Sequence, residues 1–285
     1  MPPTMSDYTF AFGDTGTVLN TDSMGFPFID VTSVAGLDTA PLRVATDEHQ
    51  GSDGTYVDSP FMSMRTIVVT GTLYTDPLDP DTLLKQLRAD YASNVVRPWY
   101  FQLPGQPLRF VNAVGGGLQY NIDSSRRTGR TPVQLTVLAG DPYIYDYPTQ
   151  VVSINVPTVI VVGMGFNVSF NLGFGGSVPA NSCTVFNSGT HTAYPTITLS
   201  GPLTNPVLTD AFGITMAFSI SLVASDQLVI GCKDKSVVLN GAVSRRSALA
   251  GTKWFSIPAS TSETIFFGAD SGTGSATVSL NNTYY

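Results

Sequence analysis

Apolar and polar residues alternate in short runs along most of this 285-residue chain, and glycine, proline, asparagine or aspartate cuts the runs every few positions. That pattern predicts strands rather than long helices. Arg65–Tyr74 is dense in β-branched residues and reads as a strand with both faces partly covered. One helix stands out after it. Asp79 is placed to cap, Pro80 suits the first helical position, and Leu83, Leu84, Leu87 and Tyr91 recur at helical spacing. Short strands are expected at Trp99–Leu103, Leu108–Val114 and Val133–Leu138. Between the last two lie a glycine turn at Gly115–Gly117 and a basic loop, Arg126-Arg127-Thr128-Gly129-Arg130. Asp141–Pro148 reads as an exit turn and linker.

Everything after the linker reads as strand. Val151–Asn155, Val159–Val162, Asn167–Phe170, Thr184–Asn187, Pro195–Ser200, Pro206–Thr209, Ile214–Leu222, Gln227–Ile230, Ser236–Leu239, Lys253–Ile257, Glu263–Phe267 and Ala276–Leu280 are separated by turn residues. Short strands at this spacing predict a sandwich or jelly roll. Strict alternation over Thr215–Leu222 puts Met216, Phe218, Ile220 and Leu222 on one buried face.

Composition sharpens this picture. The 27 glycines and 19 prolines leave no room for long helices. With 42% apolar and 12% charged residues the chain is too apolar for global disorder. The opening MPPTMSDYTF lacks the basic start and apolar run of a secretion signal. The apolar stretch Val156–Gly176 is interrupted by Pro157, glycines and asparagines, and no membrane anchor is expected. The formal charge of −7 speaks against a general nucleic-acid binder. Its distribution divides the chain: residues 1–150 hold 9 basic and 16 acidic side chains, residues 151–285 hold 5 and 5.

Site chemistry is sparse. His49 and His191 lie in polar turns without a Gly-x-Ser-x-Gly elbow. Cys183 and Cys232 are 49 residues apart, too few for a disulfide scaffold and without metal-site spacing, so buried thiols are expected. Asp76, Asp79 and Asp81 lack the glycine and terminal glutamate of a calcium loop. Gly115–Gly117 has no following Lys-Ser/Thr and is no phosphate loop. Asp210, Asp226, Asp234, Glu263 and Asp270 lie mostly in turns, a poor setting for paired glycosidase carboxylates. No catalytic, cofactor-binding or metal residue is assigned.

A series of short motifs resembles one family. Gly36–Val44, the loop Gly51-Ser-Asp-Gly-Thr-Tyr-Val57, the strand Arg65–Tyr74, the Leu-rich helix, Leu108–Val111 and the exit Gln134–Tyr145 follow one another as in the N-terminal domain of siphophage distal tail proteins and related minor tail proteins. Tyr194–Gly201, Asp226–Ile230, Val237–Gly241 and Lys253–Pro258 are similar to that family's C-terminal galectin-like sandwich, although Gly231 stands where the family pattern has an acidic residue. The resemblance covers roughly residues 30–285.

It implies a mostly β chain: an α+β, tail-tube-like ring domain over 1–147, then a galectin-like β-sandwich or jelly roll over 148–285. It implies a non-enzymatic tail component that forms a hexameric ring joining the tail tube protein to the tail tip, baseplate hub or fibre proteins. Phage DNA passes through such a ring without specific binding. The place implied is the tail tip of the virion, after assembly in the host cytoplasm. A lectin-like adhesin is the competing class, with a hydrolase more remote. The galectin type of sugar site is not expected, because Trp254 is followed by Phe-Ser-Ile and His191 by Thr-Ala-Tyr-Pro. For the ring contact, residues 1–60 carry nine acidic groups and one basic group, whereas 97–130 carry five arginines and Asp123. Head-to-tail contact brings two different patches together, which makes Arg126, Arg127 and Arg130 the candidate interface residues. The alternative is that both segments are loops folded against each other within one subunit.

Overall fold

The computed structural model describes residues 2–21, 28–49, 51–76, 81–156 and 181–285. The expected strands at 159–162 and 167–170, and the Asp79–Pro80 helix start, lie outside these residues. The chain divides into two compact units, Met1–Tyr147 with Tyr284–Tyr285, and Pro148–Thr283. The last two residues thus belong to the first unit, not to the second as expected.

In the first unit the elements run β1 (Phe10–Phe12), β2 (Val18–Leu19), β3 (Phe28–Ala35), β4 (Leu42–Arg43), β5 (Thr46–Glu48), β6 (Thr55–Val57), β7 (Phe61–Met62), β8 (Arg65–Tyr74), α1 (Thr82–Tyr91), β9 (Arg97–Phe101), β10 (Arg109–Tyr120), β11 (Arg130–Ala139) and β12 (Ile144–Asp146). The main sheet has the order β2-β1-β9-β10-β11-β8-β3, with β12 also on β10. β10 serves both halves: residues 109–113 pair with β9, and 114–120 pair with β11. Gly115–Gly117 is therefore not the expected turn. The strand runs through it, with a bulge between Gly115 and Gly117. A Cβ at Gly115 would stand 2.0 Å from the Tyr91 carbonyl oxygen, so glycine lets the helix end approach the sheet.

Helix α1 buries Leu83, Leu84, Leu87 and Tyr91, the stripe read from the spacing. These meet Ile67, Val69 and Leu73 of β8, Trp99 and Phe101 of β9, and Val133, Leu135 and Val137 of β11 in one core. Each such side chain contributes about 1.5–3 kcal/mol by leaving water. The exit segment is shorter than expected, because Ile144–Asp146 pairs with β10 at Arg109 and Phe110. A three-residue strand between prolines shows no period to read. Tyr284 closes this region: its hydroxyl donates to Asp146 Oδ2 (2.8 Å), Arg109 Nε donates to Asp146 Oδ1 (3.0 Å), and the Arg109 guanidinium lies 4.0 Å from the Tyr284 ring centroid.

The second unit is a two-sheet sandwich, and the mostly β fold class is borne out. Its strands are β13 (Gln150–Asn155), β14 (Ser182–Asn187), β15 (Thr196–Ser200), β16 (Leu203–Thr204), β17 (Val207–Asp210), β18 (Thr215–Phe218), β19 (Ser221–Leu222), β20 (Gln227–Gly231), β21 (Ser236–Leu239), β22 (Val243–Ser244), β23 (Leu249–Ala250), β24 (Thr261–Gly268), β25 (Ser271–Gly272) and β26 (Ser275–Leu280). One sheet has the order β13-β26-β15-β20-β21-β22, the other β14-β24-β17-β18-β23, and β19-β16-β25 form a small third sheet. Ile197, Leu199, Leu228, Ile230 and Val278 from the first meet Val185, Leu208, Met216, Phe218, Ile265 and Phe267 from the second. The single strand expected over 214–222 is two strands in different sheets, β18 and β19. Met216, Phe218 and Leu222 are buried and Ile220 is half-buried, so most of the expected face survives the break. Lys253–Ile257 is not a strand; only Ile257 bridges, to Ala193.

Arg65 is the most demanding side chain of the first core. It is 1% exposed. Nε donates to the Pro142 carbonyl (2.8 Å), and Nη1 donates to the carbonyls of Gly36 (2.8 Å) and Asp38. Burial lowers the pKa of the guanidinium. Gly36 has φ +90°, and a Cβ there would lie 2.1 Å from the Thr66 carbonyl oxygen.

Two outcomes follow for stability and access. Arg65→Met and Gly36→Ala should each cost about 2–4 kcal/mol, the first by orphaning carbonyls and the second by a backbone clash. Urea denaturation monitored by tryptophan fluorescence measures this; a loss under about 0.5 kcal/mol for both would contradict the clamp. Burial raises the pKa of Cys183 and pushes that of Cys232 up to about 12, so both thiols stay protonated at neutral pH. Alkylation by iodoacetamide at pH 8 should leave both unmodified by mass spectrometry until denaturant is added.

Candidate functional site

Between Gly36 and Arg65 the chain leaves the first unit's core and forms a two-stranded arm. Its outer part pairs Thr46↔Val57, Asp47↔Tyr56 and Glu48↔Thr55, and its inner part pairs Leu42↔Met62 and Arg43↔Phe61. The tip turns on Gly51 and Gly54, which have φ of +85° and +116°. The root closes where Ser63 N donates to the Pro41 carbonyl (2.7 Å). The arm is not the polar loop read from the sequence, although its tip is the Gly51–Val57 motif. That motif shapes the turn, and the His49 ring stacks on Tyr56 at 3.8 Å.

The arm buries almost nothing. Leu42, Val44, Tyr56, Val57, Phe61 and Met64 are all exposed, with Tyr56 at 64%, Val57 at 68% and Phe61 at 62%. Two strands without a covered face are marginal in water. So many apolar side chains on one projection mark a surface that works when covered. The arm is also acidic: Asp47, Glu48, Asp53 and Asp58 are exposed, against Arg43 alone. Antiparallel register places Asp47, Tyr56 and Asp58 on one face, because Asp58 N continues the ladder to the Ala45 carbonyl (3.0 Å).

The basic loop is a short 3₁₀ turn, Ser124–Thr128, capped by Asp123 and ended by Gly129 at φ +74°. Arg126 and Arg127 lie on this turn and Arg130 begins β11 just beyond it, and their partners differ. Arg126 forms an ion pair with Asp81, and Arg130 lies 5.6 Å from the Tyr74 ring centroid. Arg127 is exposed at the surface. Arg126 is thus held inside the subunit, by Asp81 and not by the acidic 1–60 segment. Asp81 in turn gives its carboxylate to Arg126 and makes no side-chain cap on α1.

The other residues singled out from the sequence are not brought together. His49 sits on the arm, and His191 pairs through its backbone with Thr283 (2.9 Å) in the second unit. Cys183 and Cys232 are buried free thiols. Asp210 accepts from the amides of Phe212 and Ile214, and Glu263 accepts from that of Ala211, so both buried carboxylates cap a turn. Among the described residues no His, Cys, Asp and Glu side chains cluster as a metal would require.

Residues 188–284 match the family model of the siphovirus-type tail component, C-terminal domain. The resemblance to siphophage distal tail proteins is borne out. Solved structures show the same fold along nearly the whole chain. SPP1 Dit (gp 19.1), described as a paradigm of the hub adsorption apparatus in phages infecting Gram-positive bacteria, is 14% identical with a TM-score of 0.64, over 98% of this chain and 100% of that one. A chain of the phage P2 baseplate, activated with calcium, is 9% identical at TM-score 0.56, over 97% of this chain and 98% of that one. Its strontium counterpart gives 9% and 0.54, over 96% and 98%. No curated protein sequence matches. A tail component belongs to the virion. No helix among the described residues is long and apolar enough to cross a membrane.

Since the arm adds nothing to the core, joining Pro41 to Ser63 through Gly-Gly should leave the melting temperature of the chain unchanged within about 2 °C, a shift that corresponds to under about 1 kcal/mol. Differential scanning calorimetry tests this. A drop above about 5 °C would show that the arm packs on its own chain.

Proposed function

We propose that the chain is a structural tail component whose copies close into a hexameric ring joining the tail tube to the baseplate or tip. In this reading residues 1–147 form the ring and residues 148–285 supply the galectin-like sandwich, with no catalytic role. The observation that carries it is the arm: an acidic hairpin with six exposed apolar side chains and no core of its own. A neighbouring subunit supplies the missing cover. The family match and the shared fold support the tail setting. Within the ring, the basic turn faces an acidic surface of the neighbour, with Arg127 reaching across while Arg126 is held by Asp81 and Arg130 lies over Tyr74. Charge of this kind fixes register more than it adds affinity.

The test is the mass of the purified chain in solution together with negative-stain images. A six-subunit ring with a central hole is expected; a monomer at all concentrations would refute the reading. Arg127→Glu should weaken the ring more at 50 mM than at 500 mM salt, as screening shortens to a few ångströms. Arg126→Glu should also lower stability, because it breaks the Asp81 pair.

A further inference from the structure

All five basic residues of the second unit lie between positions 233 and 253: Lys233, Lys235, Arg245, Arg246 and Lys253. The fold draws them to one end of the sandwich. Lys233 and Lys235 occupy the turn between β20 and β21, closed by the Gly231↔Ser236 pair. β22 runs back along β21, and beyond it Arg245 N donates to the Val237 carbonyl (2.8 Å). This sets Arg245 and Arg246 beside the start of β21, about one strand spacing (~4.8 Å) from the lysine turn. The Arg246 guanidinium lies 4.8 Å from the Trp254 ring centroid, and Lys253 precedes that ring. Val243 is exposed on the same edge strand.

Little on the unit offsets this charge. Asp234 is the one carboxylate within residues 231–262. Asp210 and Glu263 are buried on their turn, Asp226 binds Asn240 and the Val223 amide, and Asp270 accepts from Asn205. Among the described residues Lys235, Arg245, Arg246 and Lys253 make no ion pair. The result is a cationic face beside a half-buried tryptophan, and arginine with tryptophan is a pairing enriched at protein contacts.

The same chain exposes a surface of opposite character. On the arm, Asp47 and Asp58 flank Tyr56 on one face, with Glu48, Asp53, Val57 and Phe61 close by. We infer that the arm of one copy docks on the Lys233–Trp254 face of the second unit of a neighbouring copy, its carboxylates against the arginines and lysines and its Tyr56 and Phe61 against Trp254 and Val243. This rests on the proposal that copies of the chain assemble, and it adds a second contact to that of the Arg127 turn. The contact is head-to-tail and ties the second unit of each copy to the ring that residues 1–147 build.

The experiment uses the full chain in two forms. One carries Arg245→Glu and Arg246→Glu, the other Asp47→Lys and Asp58→Lys. Lys235→Glu with Lys253→Glu, two exposed lysines, serves as a second patch variant should the first misfold by circular dichroism. Mass photometry reads assembly. Each variant alone should weaken assembly at least about tenfold, more strongly at low salt. Mixed, the two variants alternate native with charge-reversed contacts and should assemble together with both chains in equal number. Combined in one chain, the reversed charges should restore the ring. Intact rings from both patch variants would overturn the inference and leave the ring reading standing. If those rings also lost binding to inorganic polyphosphate, the face would be assigned to a polyanion instead. Failure of the wild-type chain to assemble at any concentration would refute the ring reading, and the inference with it.

Discussion

A single buried guanidinium holds the first unit in a shape that can present an arm. Arg65 ties Gly36 and Asp38, where the chain departs for the arm, to Pro142, where it heads for the exit. It also begins β8, which lies between β3 and β11 in the main sheet. Buried cations are costly unless partnered; Nε and Nη1 of this one are held by three backbone carbonyls, which cannot leave by rotating a side chain, while its buried Nη2 makes no hydrogen bond. The arm itself adds no core packing, and its root is held by few side chains, Leu37 and Ala40 among them. Without this clamp its position would rest on contacts such as the Ser63–Pro41 hydrogen bond, the buried Ala40 and the packing of Leu37.

The division of labour between the units follows from where charge is allowed. The first unit spends its acidic surplus on exposed segments, above all the arm. The second keeps two carboxylates inside turns and gathers its cations at one end. On the six-stranded sheet the outward positions across the middle of the strands read Ser153, Thr277, Thr198, Val229, Val238 and Ser244, with no charge among them. Charge on this sheet is therefore kept away from the middle of its outer face.

Much of this was legible in the sequence, for reasons that can be named. Arg65–Tyr74 announces itself because ten residues of β-branched density serve a strand with neighbours on both sides. The helix is legible because Leu83, Leu84, Leu87 and Tyr91 all face one core. β1 and β2 escape notice because three and two residues carry no period. The strand through Gly115–Gly117 was hidden by glycines that are there to admit the helix end, a tertiary reason invisible locally. The arm was misread for a deeper cause. Its apolar residues, Tyr56 and Phe61 among them, follow no period that points to the chain's own core, and the segment therefore reads as a loop. The basic turn was located correctly, but only coordinates reveal that Asp81 takes Arg126.

The return of Tyr284 to the first unit changes what the second unit is in topological terms. Pro148–Thr283 is an insertion within the first unit, not an appendage after it. The flanking residues of the host unit touch, with Asp146 and Tyr284 sharing a hydrogen bond of 2.8 Å. An insertion whose ends meet can be exchanged for any domain with adjacent termini while the host fold keeps every strand. The first unit is thus a standing socket, and evolution or an engineer can change what it displays without recutting the host fold.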